Sequence, residues 1–149
     1  MSLLESLQKS GHLTSTAVAL IENYVSTWKV SPYEAVLDCH VLTEEKLADA
    51  FAEQGFERIF QLRSEEIAGE DLAVLQGKAA RHWETLPLGR RQNPEGAFAF
   101  VVADPSREGL VEQLESCIAG EIVLLVCERD LLRRTLRECY PLKLHGDGD

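Results

Sequence analysis

Adjacent Cys39 and His40 are the first candidates for chemistry, because thiolate and imidazole both bind zinc and an imidazole can accept a thiol proton. Zinc needs three or four converging ligands, and no second Cys or His pair lies at ligand spacing. Cys39 therefore reads as core and His40 as a solvent-facing turn residue, with no metal expected. Glu65-Glu66 and Glu70-Asp71 could act as paired carboxylates in acid–base work, but they fall around helix starts, where acids complement the helix dipole. Arg90 and Arg91, with Arg81, read as the best positive patch in a negative chain, one that could dock a phosphate or an acidic partner. No GxxxxGK[ST] loop is present to cradle a nucleotide. A non-enzymatic chain without a cofactor is the expectation.

The composition belongs to an ordinary globular protein, with 45% hydrophobic and 27% charged residues. A length of 149 residues suits one domain or two small lobes. The net charge of −10 opposes binding to a polyanionic backbone, so nucleic acid is excluded as an expected partner. The longest apolar run, Ile122-Val123-Leu124-Leu125-Val126-Cys127, is far short of the ~20 residues that span a bilayer, so direct membrane insertion is not expected. The first residues lack the basic and apolar regions of a secretory signal, which predicts a cytoplasmic location. Cys39, Cys117, Cys127 and Cys139 show no CxxC spacing, and the last three fall on apolar faces, predicting buried thiols.

Gly11-His12-Leu13-Thr14 and His40-Val41-Leu42-Thr43 lie 29 positions apart, each between two amphipathic segments. That offset pairs Leu7 with Val36, Leu13 with Leu42, Thr14 with Thr43 and Val18 with Leu47, so apolar positions coincide while polar ones drift. Two copies of one helical hairpin are implied. The first helix spans about 2–10 and ends at Gly11; Thr14 caps the second, with Val18, Ile21 and Val25 as its buried stripe. The third starts near Pro32, and Thr43 caps the fourth, which buries Leu47, Ala50 and Phe51 before Gly55.

After residue 55 the pattern changes. Residues 56–62 partly alternate as a short strand, and 70–83 read as one helix through Leu72, Leu75 and Ala79. Leu86-Pro87-Leu88 reads as an edge-like stretch, and 89–96 as a turn-rich connection to a strand at 97–102, giving a hairpin. Asp104-Pro105-Ser106 opens a helix through Leu110, Leu114 and Cys117; a strand at 122–127 and a helix at 128–140 follow. Strand, helix and strand in that order form a parallel crossover. The predicted fold is α+β: a lobe of four short helices in two tandem hairpins (1–55), a small mixed α/β lobe of three to four strands (56–142), and a disordered tail (143–149).

The tandem hairpins, Leu86-Pro87-Leu88, the strand ending Val102-Ala103-Asp104-Pro105 and the closing Tyr140 together resemble the N-terminal domain of bacterial type II secretion and type IV pilus assembly ATPases. The resemblance covers roughly 2–141, and similar domains occur on membrane glycosyltransferases of the phage-adsorption type. Some members bind cyclic di-GMP through tandem motifs with the same period of 29. Carried over residue by residue, the resemblance puts Leu7, Gly11, Leu13, Val36, Leu37 and Leu42 at ligand-motif positions. The motif opens with Arg-Leu-Gly in the family, where this chain has Ser2-Leu3-Leu4 and Ser31-Pro32-Tyr33, and His40 replaces the second copy's glycine. Each missing charge-assisted contact costs roughly 1.5–3 kcal/mol, so losing both arginines weakens binding by more than about a hundredfold. Cyclic di-GMP is therefore not the expected ligand.

The resemblance implies a regulatory, protein-interaction domain that docks the cytoplasmic part of an inner-membrane assembly protein. It would thus sit in the cytoplasm, peripheral to the inner membrane. The expected partner surface comprises Leu3, Leu4 and Leu7 on the first hairpin, with Arg90 and Arg91 as a second patch. The alternatives are a cyclic-di-GMP sensor with a degenerate site and an accessory domain of a glycosyltransferase.

Overall fold

The computed structural model describes residues 2–92 and 95–141. The tail expected at 143–149 lies outside them. Two helical hairpins open the chain, α1 (Leu3–Lys9) with α2 (Ser15–Trp28) and α3 (Pro32–Asp38) with α4 (Glu44–Glu53). Ser2, Thr14, Ser31 and Thr43 cap the four N-termini, each hydroxyl accepting a backbone N–H three residues on at 3.1–3.2 Å. These bonds satisfy amides that a helix leaves without partners.

The caps keep the 29-residue period, and so does the turn that follows each short helix. Ser10 and Cys39 end α1 and α3 with φ/ψ of −83°/0° and −82°/1°. Gly11 and His40 then turn left-handed, at φ 86° and 57°. Glycine adopts that region freely, whereas a Cβ makes it cost about 1–2 kcal/mol. His40 is exposed there, as expected. Buried positions also recur in register: Leu4 with Tyr33, Leu7 with Val36, Ile21 with Ala50.

The second hairpin meets the rest of the chain through Phe51, which stacks on Tyr33 at 6.4 Å and meets Phe56 edge-on at 6.2 Å. Beyond it lie β1 (Glu57–Arg58), α5 (Gly69–Leu72), α6 (Gly77–Trp83), β2 (Thr85–Gln92), β3 (Glu95–Val102), α7 (Leu110–Glu115), β4 (Ile122–Val126) and α8 (Arg129–Cys139). The sheet runs β1-β4-β3-β2, with β2 antiparallel to β3 and the other pairs parallel. The crossover from β3 through α7 to β4 is the predicted one. One hydrophobic cluster runs from Leu3 through Phe100 and Val101 to Leu132 and Tyr140, so both lobes share a core.

Several expectations need correction. The strand expected at 56–62 pairs over only two residues, and beyond Ile59 the chain leaves the sheet with Phe60 exposed beneath the Arg58 guanidinium. The helix expected at 70–83 is two short ones, with Gly77 starting the second. The expected loop at 89–96 is mostly strand, with β2 absorbing irregularities around Gly89 and Arg91. The helix expected from Asp104 begins only at Leu110, because the Asp104 carboxylate turns back to accept the Ser106 amide at 3.0 Å and its hydroxyl. Of the thiols expected to be buried, Cys127 is, with its pKa pushed up to about 12 by burial, whereas Cys39, Cys117 and Cys139 are half-buried. Among the described residues no helix is long and apolar enough to cross a membrane.

Candidate functional site

A cleft of about 310 Å³ opens where the linker between the two hairpins meets the α/β lobe. Lys29, the left-handed C-cap of α2, and Ser31, Tyr33 and Glu34 at the start of α3 form one wall. The end of α6 and the end of β3 form the other, with Trp83, Glu84 and Asp104; Arg107, Arg129 and Arg133 converge on the same space. Arg107 donates to the His82 carbonyl at 2.7 Å, and its guanidinium lies 4.6 Å from the Trp83 ring centre. Arg133 pairs with Glu84, which raises the already high Arg133 pKa further. Burial lifts the Asp104 carboxyl above the ordinary carboxylate range, while the Ser106 hydrogen bonds and Arg107 oppose the rise. Burial likewise raises the Tyr33 phenol. A hollow with four cations, three acids and an indole wall suits an anionic group presented beside a flat ring.

A second groove, about 360 Å³, lies along the turn of the second hairpin between Leu37, His40, Val41, Leu42, Thr43 and Lys46. Arg129 lines both spaces and stands 3.6 Å from Glu44. The other oxygen of Glu44 accepts the Asp130 amide at 2.7 Å. The α8 N-terminus has no side-chain cap of its own, so the second hairpin supplies it.

Of the six ligand-motif positions, Leu37 and Leu42 meet at this second groove. Leu7, Leu13 and Val36 are core residues, and Gly11 is exposed at the other hairpin's turn. Ser2 and Ser31, which the resemblance sets at the motif's arginine positions, are both engaged as helix caps.

The expected partner surface is not a surface in this fold. Leu3, Leu4 and Leu7 are 5%, 7% and 0% exposed, because the first helix completes its burial within the chain itself. Arg90 donates to the Gly96 carbonyl at 2.8 Å, and Arg91 meets Glu57, on the strand at the other sheet edge, at 2.7 Å. Arg81 donates to the Tyr140 carbonyl, so the three arginines are spent on separate internal contacts. The sequence reading missed the cations of the cleft. Arg129 and Arg133 were visible as an i, i+4 pair on one helix, but Arg107 and Trp83 come together only through the fold.

The sequence model of the MshEN domain matches residues 55–146. Among solved structures, the fold is similar to that of MshE with cdg, at 14% identity and a TM-score of 0.71, covering 94% of this chain and 99% of that one. It is also similar to the N-terminal domain of XpsE in two crystal forms. The identities are 14% and 15% and the TM-scores 0.59 and 0.65, over 93% and 90% of this chain and 94% and 90% of those chains. At such identities the likeness speaks for the fold. No curated protein sequence matches the chain. With more than half its length matched by the family's model, and with the tandem-hairpin fold in place, the chain belongs to the MshEN domain family, the N-terminal domain of secretion and pilus ATPases.

Proposed function

We propose that this chain is a non-catalytic regulatory domain that works by docking, with the cytoplasmic part of an inner-membrane assembly protein as its partner. The observation that carries the reading is the use made of Ser2 and Ser31. Both stand where the family's ligand motif has arginine, and both spend their hydroxyls on holding α1 and α3 in place. Caps, turn dihedrals and buried positions are kept in both copies while the ligand-grasping side chains are not, so the hairpins are kept for their shape. The location that follows is cytoplasmic, at the face of the inner membrane.

The test is calorimetric titration of the full chain with the cytoplasmic domain of the inner-membrane assembly protein of its own organism. A micromolar or tighter complex, at least about 8 kcal/mol of binding free energy, is expected. No detectable complex would overturn the reading.

The cationic cleft favours a second reading, a cyclic-di-GMP sensor with a degenerate site. MshE is solved with that ligand, and Lys29, Arg107, Arg129 and Arg133 could meet its phosphates here. Against it, Arg133 and Arg129 already face Glu84 and Glu44, and Glu34 and Asp104 add negative charge to the same hollow. A ligand at a hundred times its dissociation constant adds about 2.7 kcal/mol of stability, so a melting curve with cyclic di-GMP separates the two readings.

A further inference from the structure

We propose that the hollow between α8 and the segment leaving β1 is a docking surface, and that its occupant is a short acidic peptide segment with one large apolar side chain between its carboxylates. The inference rests on the docking reading and supplies the surface that the buried leucines of α1 do not. Phe60, Gln61, Leu62 and Arg63 form one side of a hollow of about 290 Å³, and Leu131 and Arg134 of α8 form the other. Leu62 and Leu131 are half-buried against the core, while Phe60, Arg63 and Arg134 are exposed. Phe60, at 71%, is the most exposed large apolar side chain among the described residues.

The second hairpin sets both walls. Asp49 of α4 accepts from the Arg58 Nε at 2.7 Å, and Glu128 stands 3.6 Å from the same guanidinium, which lies 4.2 Å from the Phe60 ring centre. One face of the phenyl ring is thus covered by a cation whose charge is already met, and the rest of the ring stays open. On the other side, Glu44 of α4 caps the helix that carries Leu131 and Arg134. The 3-10 turn Ser64–Glu66, which follows Arg63, packs on that same helix.

Charge selects the occupant. Among the described residues, neither the Arg63 nor the Arg134 guanidinium has a hydrogen bond or an ion pair. Glu65 and Glu66 follow Arg63, and Asp130 and Glu138 lie a turn to either side of Arg134, but none of the four lines the hollow or meets either guanidinium. In a chain of net charge −10, two arginines that face one space without an acid are open to carboxylates from outside, which a guanidinium binds as a fork. A free inorganic anion would meet the arginines and leave Phe60 in water. The net charge repels an anionic lipid surface, which one pair of arginines does not offset. The hollow is at the small end of ligand pockets, with room for one large side chain rather than a helix face.

The experiment measures binding of the full chain to three labelled peptides of about ten residues. The first sets one phenylalanine among aspartates and glutamates, the second sets it among lysines, and the third keeps the acids with alanine for the phenylalanine. The first should bind at least about tenfold more tightly than either of the others. Arg63→Gln with Arg134→Gln should weaken it by about tenfold or more at an unchanged melting temperature, since neither guanidinium has a partner to lose, and Phe60→Ala should weaken it similarly. Binding of the second or third peptide equal to the first, or a double variant that binds as the parent does, overturns the proposal. So does tighter binding to vesicles of anionic lipid, or a concentration-dependent dimer that the double variant dissolves, because the occupant is then a membrane or a second copy. Titration of the assembly protein's cytoplasmic domain separates the two levels. Binding that survives the double variant leaves the docking reading and removes this surface; absent binding with the peptide result intact removes the named partner and leaves the surface.

Discussion

At the scale of single residues, Ser2 and Ser31 carry the clearest lesson, because one hydroxyl in each copy takes a role that an arginine cannot fill. Replacing either by alanine should lower stability by about 1 kcal/mol, read from urea midpoints at unchanged slope, and a neutral Ser31→Ala would argue against the cap. Asp104 makes a prediction of opposite sense. Its native pKa lies above the unfolded one because burial disfavours the charged form. The stability this group adds is therefore present below the unfolded value, near pH ~4, and is lost as pH rises through the native value. Asp104→Asn keeps the acceptor for the Ser106 amide and removes the charge. It should melt above the parent at pH 7, with the gap closing toward pH 4; a gap that widens on acidification would contradict the assignment.

At the scale of elements, the joint between the hairpins and the α/β lobe is Glu44, which serves the first turn of α4 and the N-terminus of α8 at once. Glu44→Ala should cost about 1–3 kcal/mol, with faster hydrogen exchange at the α8 N-terminus, while Glu44→Gln, which keeps the acceptor, should recover much of the loss. Equal losses in the two variants would assign the effect to charge alone. The four hairpin helices were legible in the sequence because the Thr14 and Thr43 caps, Pro32, Gly11 and the apolar spacing all act locally, whereas the Ser2 and Ser31 caps emerge only in the structure. The sheet was legible where burial on both faces leaves an apolar run, as in β3 and β4. It was not legible at β2, whose arginines and Gly89 read as loop until the partner strand and the Glu57 contact are known. Nor was the two-residue β1, which the parallel partner β4 defines rather than its own alternation. The cleft stayed hidden for the same reason. Its walls come from the hairpin linker, α6, the end of β3 and α8, and no local pattern links them.

At the scale of the whole molecule, the family's sequence model covers 55–146, yet the fold likeness spans 94% of the chain. The fold likeness therefore takes in the helical lobe as well. Its burial is not separable from the rest, since Leu3, Phe51 and Leu132 belong to one core. Urea unfolding should accordingly be a single transition, with far-UV dichroism and the fluorescence of Trp83 in a Trp28→Phe variant giving the same midpoint; two separated midpoints would make the lobes independent. What the lobe is kept for is the central question, and the account answers shape and contact rather than a cyclic dinucleotide. Calorimetric titration of the full chain with cyclic di-GMP puts that answer most directly at risk. The account predicts no saturable heat up to about 100 μM ligand, a binding free energy weaker than roughly 5.5 kcal/mol, and a saturating isotherm at micromolar ligand would contradict it.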